Sequence, residues 1–289
     1  MAKTIAEAAR QLLVDDERPV ISISDLNGLL RRLYNGEYSD RVEARTRKTE
    51  PSDEDLYRAL QRLEGARVVR RDPDFGAGLY QVFDVLEQSA EAVCCMVDPL
   101  CYVSHLAAMH MHGLTERSPT HLVLTRPADP LWREMLEAQH ASLGQPPVRP
   151  RPKRSLPEKV RGRPILMHDT RHPGEWDPMG RHIRVATVGQ AFLDMVTRPA
   201  WCGGMAHVLQ VWEREAGTHF EEIVDTVRVS VPKLPKVRAG YILDEMLGMA
   251  DERVRAWRAL AQRGSSQRLD PEQPYAPTFS EGWMLSLNA

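Results

Sequence analysis

Apolar positions recur at helical spacing three times within the first 63 residues. Ile5, Ala8, Ala9, Leu12 and Leu13 fall on one side of a helix over 3–14. After an extended piece at 19–22, Leu26, Leu29, Leu30 and Leu33 line a second helix, with Ser24 as its cap. Ser52 opens a third. Asp53, Glu54 and Asp55 suit the positive end of its dipole, and Leu56, Leu60 and Leu63 recur at i, i+4 and i+7. That stripe leaves Tyr57, Arg58, Gln61 and Arg62 on the open face, and Gly65 stops the helix. Residues 67–70 and 79–82 read as two strands around the glycine-rich turn 72–78. Helix, glycine, basic strand, turn and strand in that order are the layout of a winged helix-turn-helix, predicted over residues 1–88.

The pattern changes after residue 88. Residues 86–115 read as helix, proline break and helix, with Tyr102, Leu106, Ala107 and Met109 on one face and Gly113 as the stop. Residues 121–125 alternate poorly, as a strand buried on both sides does. A helix runs from 129 or 130 to about 140, strands follow at 165–168 and 182–186, and helices at 188–197, 204–216, 218–228, 235–248 and 251–263. Trp283, Leu285 and Leu287 alternate as a last strand. The fold class predicted is mixed α/β (α+β): a winged helix over 1–88 and a larger, helix-rich α/β domain over 89–289.

Composition narrows the function classes. With 42% hydrophobic and 27% charged residues, the chain has the material for a real core. No apolar run approaches the ~20 residues that span a bilayer, and the amphipathic N-terminus lacks the features of a signal peptide. Cys94, Cys95, Cys101 and Cys202 form no C-x-x-C pair, so neither a disulfide framework nor a zinc cage is expected, and a reducing cytoplasm is the simpler compartment. The formal net charge is −2, so any basic surface is local. Residues 1–88 carry 14 Lys/Arg against 17 Asp/Glu. The proline-rich segment 145–164 holds seven Lys/Arg and a single Glu. Its prolines predict that it extends rather than packs, either as a solvated loop or as a basic arm on phosphates.

Enzyme signatures are missing. The sequence holds no phosphate loop, no dinucleotide fingerprint and no nucleophile elbow. His110 and His112 would point about 200° apart on a helix. His168 and His172 have ligand-like spacing, with Asp169, Glu175 and Asp177 nearby, but no partner motif and no E-x-K accompany them. No catalytic residue, metal ligand or cofactor is therefore assigned.

Residues 97–125 carry Tyr102, Ser104, Leu106-Ala107-Ala108, His112-Gly113-Leu114-Thr115, Pro119 and the apolar run His121–Thr125. Residues 183–213 carry Leu193-Asp194, Pro199 and Gly203-Gly204, and Val237–Leu243 follow with an arginine-x-glycine helix. In this order and spacing the chain resembles the AbiEi-type antitoxins, the regulator halves of bacterial AbiE toxin–antitoxin systems. The resemblance implies a DNA-binding N-terminal domain that represses its own operon through inverted repeats. It also implies a C-terminal domain that neutralises a nucleotidyltransferase-like toxin encoded beside it. Such a protein is a monomer or weak dimer, paired on double-stranded operator DNA.

On that reading Arg58 and Arg62 reach guanine edges or phosphates, Gln61 pairs with adenine and Tyr57 meets the backbone. Arg70 and Arg71 in the wing, with Arg45, Arg47 and Lys48 in the loop before the third helix, hold phosphates. Arg151, Lys153 and Arg154 add a second contact. Two alternatives stay open: a protein-interaction module without DNA function, and a metal-dependent nuclease centred on Asp169, Glu175 and Asp177.

Overall fold

The computed structural model describes residues 3–37, 48, 50–142, 155–249, 251–261 and 267–289, the side chains of 140 and 142 excepted. The chain is mixed α/β and divides into two compact units. The described residues of Met1–Pro99, Pro152–Pro164 and Gly180–Ile183 form the first; those of Leu100–Arg151, Ile165–Met179 and Arg184–Ala289 form the second.

In the first unit Thr4 opens α1 (Ile5–Asp15) with a capping box, in which Glu7 reaches back to the Thr4 amide at 2.7 Å. β1 (Val20–Ser22) runs directly into α2 (Ile23–Tyr34). The cap of α2 is Ser22 and not Ser24: its Oγ accepts from the Asp25 amide at 3.0 Å. Ser22 has the extended backbone an N-cap needs, whereas Ser24 already lies in the first turn. α3 (Asp53–Gly65) begins at the predicted Ser52 cap. Gly65 is its last helical residue, and the left-handed conformation that turns the chain falls to Arg67, at φ 55°. β2 (Val69–Asp72) and β3 (Gly76–Val82) make an antiparallel hairpin, and β1 adds to β3 on its other side. A register shift between Arg71 and Asp72 kinks the hairpin near its tip. The leucine stripes of the three helices meet Val69, Tyr80 and Val82 of the sheet in one core. Each fully buried leucine there contributes about 1.5–3 kcal/mol. α4 (Ala90–Val97) completes this stretch.

The second unit starts with a strand that the helical pattern of 86–115 hid. β4 (Tyr102–Val103) lies between α4 and α5 (His105–Met111). It pairs antiparallel with β5 (Leu122–Pro127), which is buried at every position. α6 (Asp129–Ser142) follows. Segment 145–164, whose described part belongs to the first unit, does not simply extend: β6 (Lys159–Val160) turns through Arg161 and Gly162 into β7 (Arg163–Thr170), which continues from Ile165 in the second unit, and Val160 is fully buried. β8 (Trp176–Met179) and β9 (Ile183–Ala186) complete the strand order β7-β5-β4-β9-β8, with β5 and β7 parallel and β4 and β9 parallel.

Helices α7 (Val188–Thr197), α8 (Met205–Glu215), α9 (Phe220–Val229), α10 (Lys233–Tyr241) and α11 (Glu252–Arg255) enclose a core that includes Phe192, Trp212 and Trp283. α7 has the predicted bounds. The helix expected over 235–248 stops at Tyr241 and continues as a π-helical turn, Ile242–Met246. The one expected over 251–263 is α11 followed by a 3-10 turn, Ala256–Leu260. Gly189 lets α7 lie directly on α9, since a Cβ there would sit 2.4 Å from the Glu222 carbonyl oxygen. β10 (Phe279–Ser280) and β11 (Leu285–Ser286) flank Trp283 near the end of the chain. Among the described residues no helix is long and apolar enough to cross a membrane.

Candidate nucleic-acid interface

The periodicity of α3 sorts its side chains cleanly. Ala59, Leu60 and Leu63 are buried, and Tyr57, Arg58, Gln61 and Arg62 form an exposed strip. Tyr57 is 60% exposed although it is aromatic. Arg62 has no hydrogen bond or ion pair among the described residues. Arg58 pairs with Glu54, one turn earlier, and both side chains are largely open to solvent. An exposed pair of this kind contributes only about 0.3–0.5 kcal/mol, so an incoming phosphate competes with it easily.

The acids at the start of α3 are mostly neutralised from within. Asp55 takes Lys48 Nζ at 2.7 Å and the Ser52 amide at 2.9 Å. Lys48 first, and then Ser52, hold the Asp55 carboxyl far below the usual carboxylate range. Lys48, read from sequence as a phosphate contact, is thus engaged with Asp55, and Arg58 faces Glu54. Asp53 has no hydrogen-bond or ion-pair partner among the described residues and stays exposed.

The β2–β3 hairpin shows the same economy of charge. Arg70 lies on the Phe83 ring, 4.7 Å from its centroid, and donates from Nε to Gln81 at 3.0 Å. Arg71 is exposed and has no partner among the described residues. At the tip Asp72 is buried and accepts the amides of Asp74 and Phe75 at 2.9 and 3.2 Å. Arg161 closes the turn: Nη2 reaches Asp72 at 2.6 Å, Nη1 reaches Asp74 at 2.5 Å, and its amide donates to Asp74 at 2.9 Å. Burial opposes the charge on this guanidinium, but Asp72 and Asp74 outweigh it and leave its pKa raised. Arg163 pairs with Glu91. Two arginines of the basic segment therefore neutralise acids of their own unit. Arg45, Arg47, Arg151, Lys153 and Arg154 lie outside the described residues.

Sequence counting found the acids and the bases but not their pairing. Arg161 was only one of seven positive charges in its segment. The signal available was the Asp-Pro-Asp of a tight turn, in which two carboxylates two residues apart call for a cation.

The nuclease candidates are not assembled. Asp169 accepts from Arg126 Nε at 2.8 Å, while Glu175 and Asp177 are exposed. Among the described residues no group of three His, Cys, Asp or Glu side chains is placed to hold a metal ion. The residues that carry the family resemblance serve the fold. Tyr102 Oη accepts from the Gly174 amide at 2.8 Å, His112 Nε2 lies 2.7 Å from the Ala186 carbonyl oxygen, and Arg238 donates to the carbonyls of Val196 and Arg268 at 2.8 and 2.9 Å. Compared with protein-family models and with curated proteins, the chain matches none.

Proposed function

We propose that the first unit binds double-stranded DNA as a winged helix, and that the chain is an operator-binding autorepressor and antitoxin of the AbiEi type. One observation carries the DNA limb: α3 presents Tyr57, Arg58, Gln61 and Arg62 as a continuous exposed strip, beside acids held by Lys48 and Arg58. The element order α1-β1-α2-α3-β2-β3, with its antiparallel sheet, supports the winged-helix reading. In a major groove Arg62 and Gln61 address base edges, and Arg58 exchanges Glu54 for phosphate or guanine. Arg71, and Arg70 beside it, lie in the wing, where phosphates pass. The antitoxin limb rests on the resemblance of residues 97–125 and 183–213, and its partner is a nucleotidyltransferase-like toxin. Buried free thiols at all four cysteines suit a cytoplasmic protein.

A gel-shift titration with the DNA upstream of its own reading frame tests the first limb. The complex should weaken steeply with salt, and Arg58→Ala with Arg62→Ala should abolish it without altering the circular dichroism. Undiminished binding removes α3 from the reading role, and affinity indifferent to salt favours the interaction-module alternative. For the second limb, co-expression with the adjacent reading frame should relieve growth arrest; arrest that persists rejects it.

A further inference from the structure

The second unit holds a group of polar and aromatic side chains that the DNA reading does not use. His105 follows β4 at the first position of α5 with φ 54°, a left-handed conformation that a histidine seldom adopts. Its ring is buried, 2% exposed. Beneath it the contacts are closed. Thr125 Oγ1 donates to Ser104 Oγ at 2.8 Å, and Ser104 Oγ lies 2.8 Å from His105 Nδ1. The His105 amide donates to Asp194 Oδ2 at 3.4 Å, and Gln190 fixes the other Asp194 oxygen at 2.7 Å.

The lengths of these contacts favour one tautomer. Ser104 accepts from Thr125 and has the 2.8 Å contact to Nδ1 as its shorter outlet, against 3.4 Å to the Val123 carbonyl. Nδ1 is then the acceptor, and the neutral ring carries its proton on Nε2. That Nε2 has no protein partner among the described residues. It is also not one of the buried polar atoms left unsatisfied there, so it meets solvent.

Three further donors gather at the same place. The rings of His105, His168 and Trp201 meet edge to face, with centroids 5.0, 5.3 and 5.9 Å apart. The Arg198 guanidinium stacks on Trp201 at 4.5 Å and is exposed. Among the described residues, neither ring nitrogen of His168, nor Trp201 Nε1, nor the Arg198 guanidinium has a hydrogen-bond or ion-pair partner. Burial and then Arg198 keep both imidazoles neutral, at pKa values of about 3 for His105 and about 4 for His168. Arg198 is thus the fixed cation of the group.

The arrangement is not a catalytic relay. Ser104 Oγ and Asp194 both approach Nδ1 of His105, at 2.8 and 3.9 Å, whereas a serine–histidine–aspartate relay needs them on opposite ring nitrogens. It collects donors around one cation. Donors from four side chains suit a tetrahedral oxyanion better than a planar carboxylate, which a single guanidinium fork already satisfies.

We propose that His105, His168, Trp201 and Arg198 form a phosphoryl-binding site in the second unit, independent of any DNA contact by α3. The phosphoryl group comes either from free phosphate or from the end of a nucleic-acid strand, and the two sources share the recognition chemistry. The test is a titration of inorganic phosphate into the full chain, followed by the imidazole proton resonances of His105 and His168. Saturable shifts are expected. Arg198→Ala should weaken them roughly tenfold or more, as the loss of a charge-assisted hydrogen bond does. Arg198→Lys should restore part of the affinity, and Arg58→Ala with Arg62→Ala should leave it unchanged. A 5′-phosphorylated dinucleotide that binds more tightly than phosphate, while its unphosphorylated twin does not bind, identifies a strand end; equal affinity of the phosphorylated form and phosphate identifies the free ion. Shifts that never saturate, or an unchanged affinity in a folded Arg198→Ala variant, overturn the proposal.

Discussion

Nη2 of Arg161 donates to Asp72 Oδ2 at 2.6 Å, and this pair closes the tip of the β2–β3 hairpin from 89 residues away in sequence. The Asp72 side chain is wholly buried, while that of Arg161 is partly buried, 16% exposed. Removing one member of a buried pair leaves an uncompensated charge, which costs about 3–5 kcal/mol. Arg161→Ala should therefore destabilise the first unit by about that amount in urea denaturation. Adding Asp72→Asn to it should recover part of the loss, because the amide oxygen still accepts from Asp74 and Phe75. Equal stability of the single variant and the parent would show that the pair holds nothing together.

Glu54 faces Arg58 across one turn of α3, on the strip proposed to read DNA. Removing that acid frees Arg58 and lifts a negative charge from the interface. Glu54→Gln should tighten operator binding about threefold to tenfold at low salt, with the advantage shrinking as ionic strength rises. Lys48→Ala should act the other way, because it unmasks Asp55 at the head of the same helix. A gel-shift series at two salt concentrations measures both. Weaker binding by Glu54→Gln would place the DNA contact away from this face.

Local order was legible where one stretch of chain decides it. The Leu56, Leu60 and Leu63 stripe and the Ser52 hydroxyl give α3 its start and its buried face, and α7 follows its pattern to the residue. What failed was decided elsewhere in the chain. Ser22 and Ser24 are equal as caps until β1 pairs with β3, where Ser22 sits opposite Leu79 and is held extended. β4 is two residues long and is defined by Thr125, Leu124 and Val185, so no local period reveals it. Counting charges by segment likewise put Asp72 and Asp74 in an acidic domain and Arg161 in a basic arm, although the three form one cluster. The opening at His105 was invisible for the same reason. Its rings come from α5, β7 and the turn after α7, and each alone is an ordinary histidine or tryptophan.

Gly240 shows how a loose motif becomes a packing requirement. It stands in α10 beneath Trp283, and a Cβ there would lie 2.1 Å from the indole. Backbone and ring cannot both stay in place, and overpacking of this kind costs about 1–3 kcal/mol. Gly240→Ala should lower the melting temperature of the second unit and shift the Trp283 emission toward that of a wetter indole. Trp283→Phe in the same background should return part of the stability by making room. If Gly240→Ala melts like the parent, the tail does not pack on α10 in solution.

The buried cluster around His105 also fixes how the second unit responds to acid. Burial, chiefly, lifts Asp194 to about pH 6 from an ordinary 3.8, so the folded unit takes up this proton more readily than the unfolded chain. Asp194 thus adds stability as pH falls from about 7 to about 4. His105 and His168 do the reverse. Their folded values, about 3 and about 4, lie below the ordinary 6.5, so the unfolded chain binds these protons first and stability drains away as pH falls through 6.5. Two histidines oppose one aspartate, and the net effect is a second unit that weakens from pH 7 toward pH 4. Asp194→Asn removes the opposing group and should make that decline steeper by up to about one proton. His168→Gln should make it shallower by a similar amount. Melting temperatures of the three proteins between pH 4.5 and 7.5 decide the matter, and parallel curves would mean that these groups titrate alike in the folded and unfolded chains.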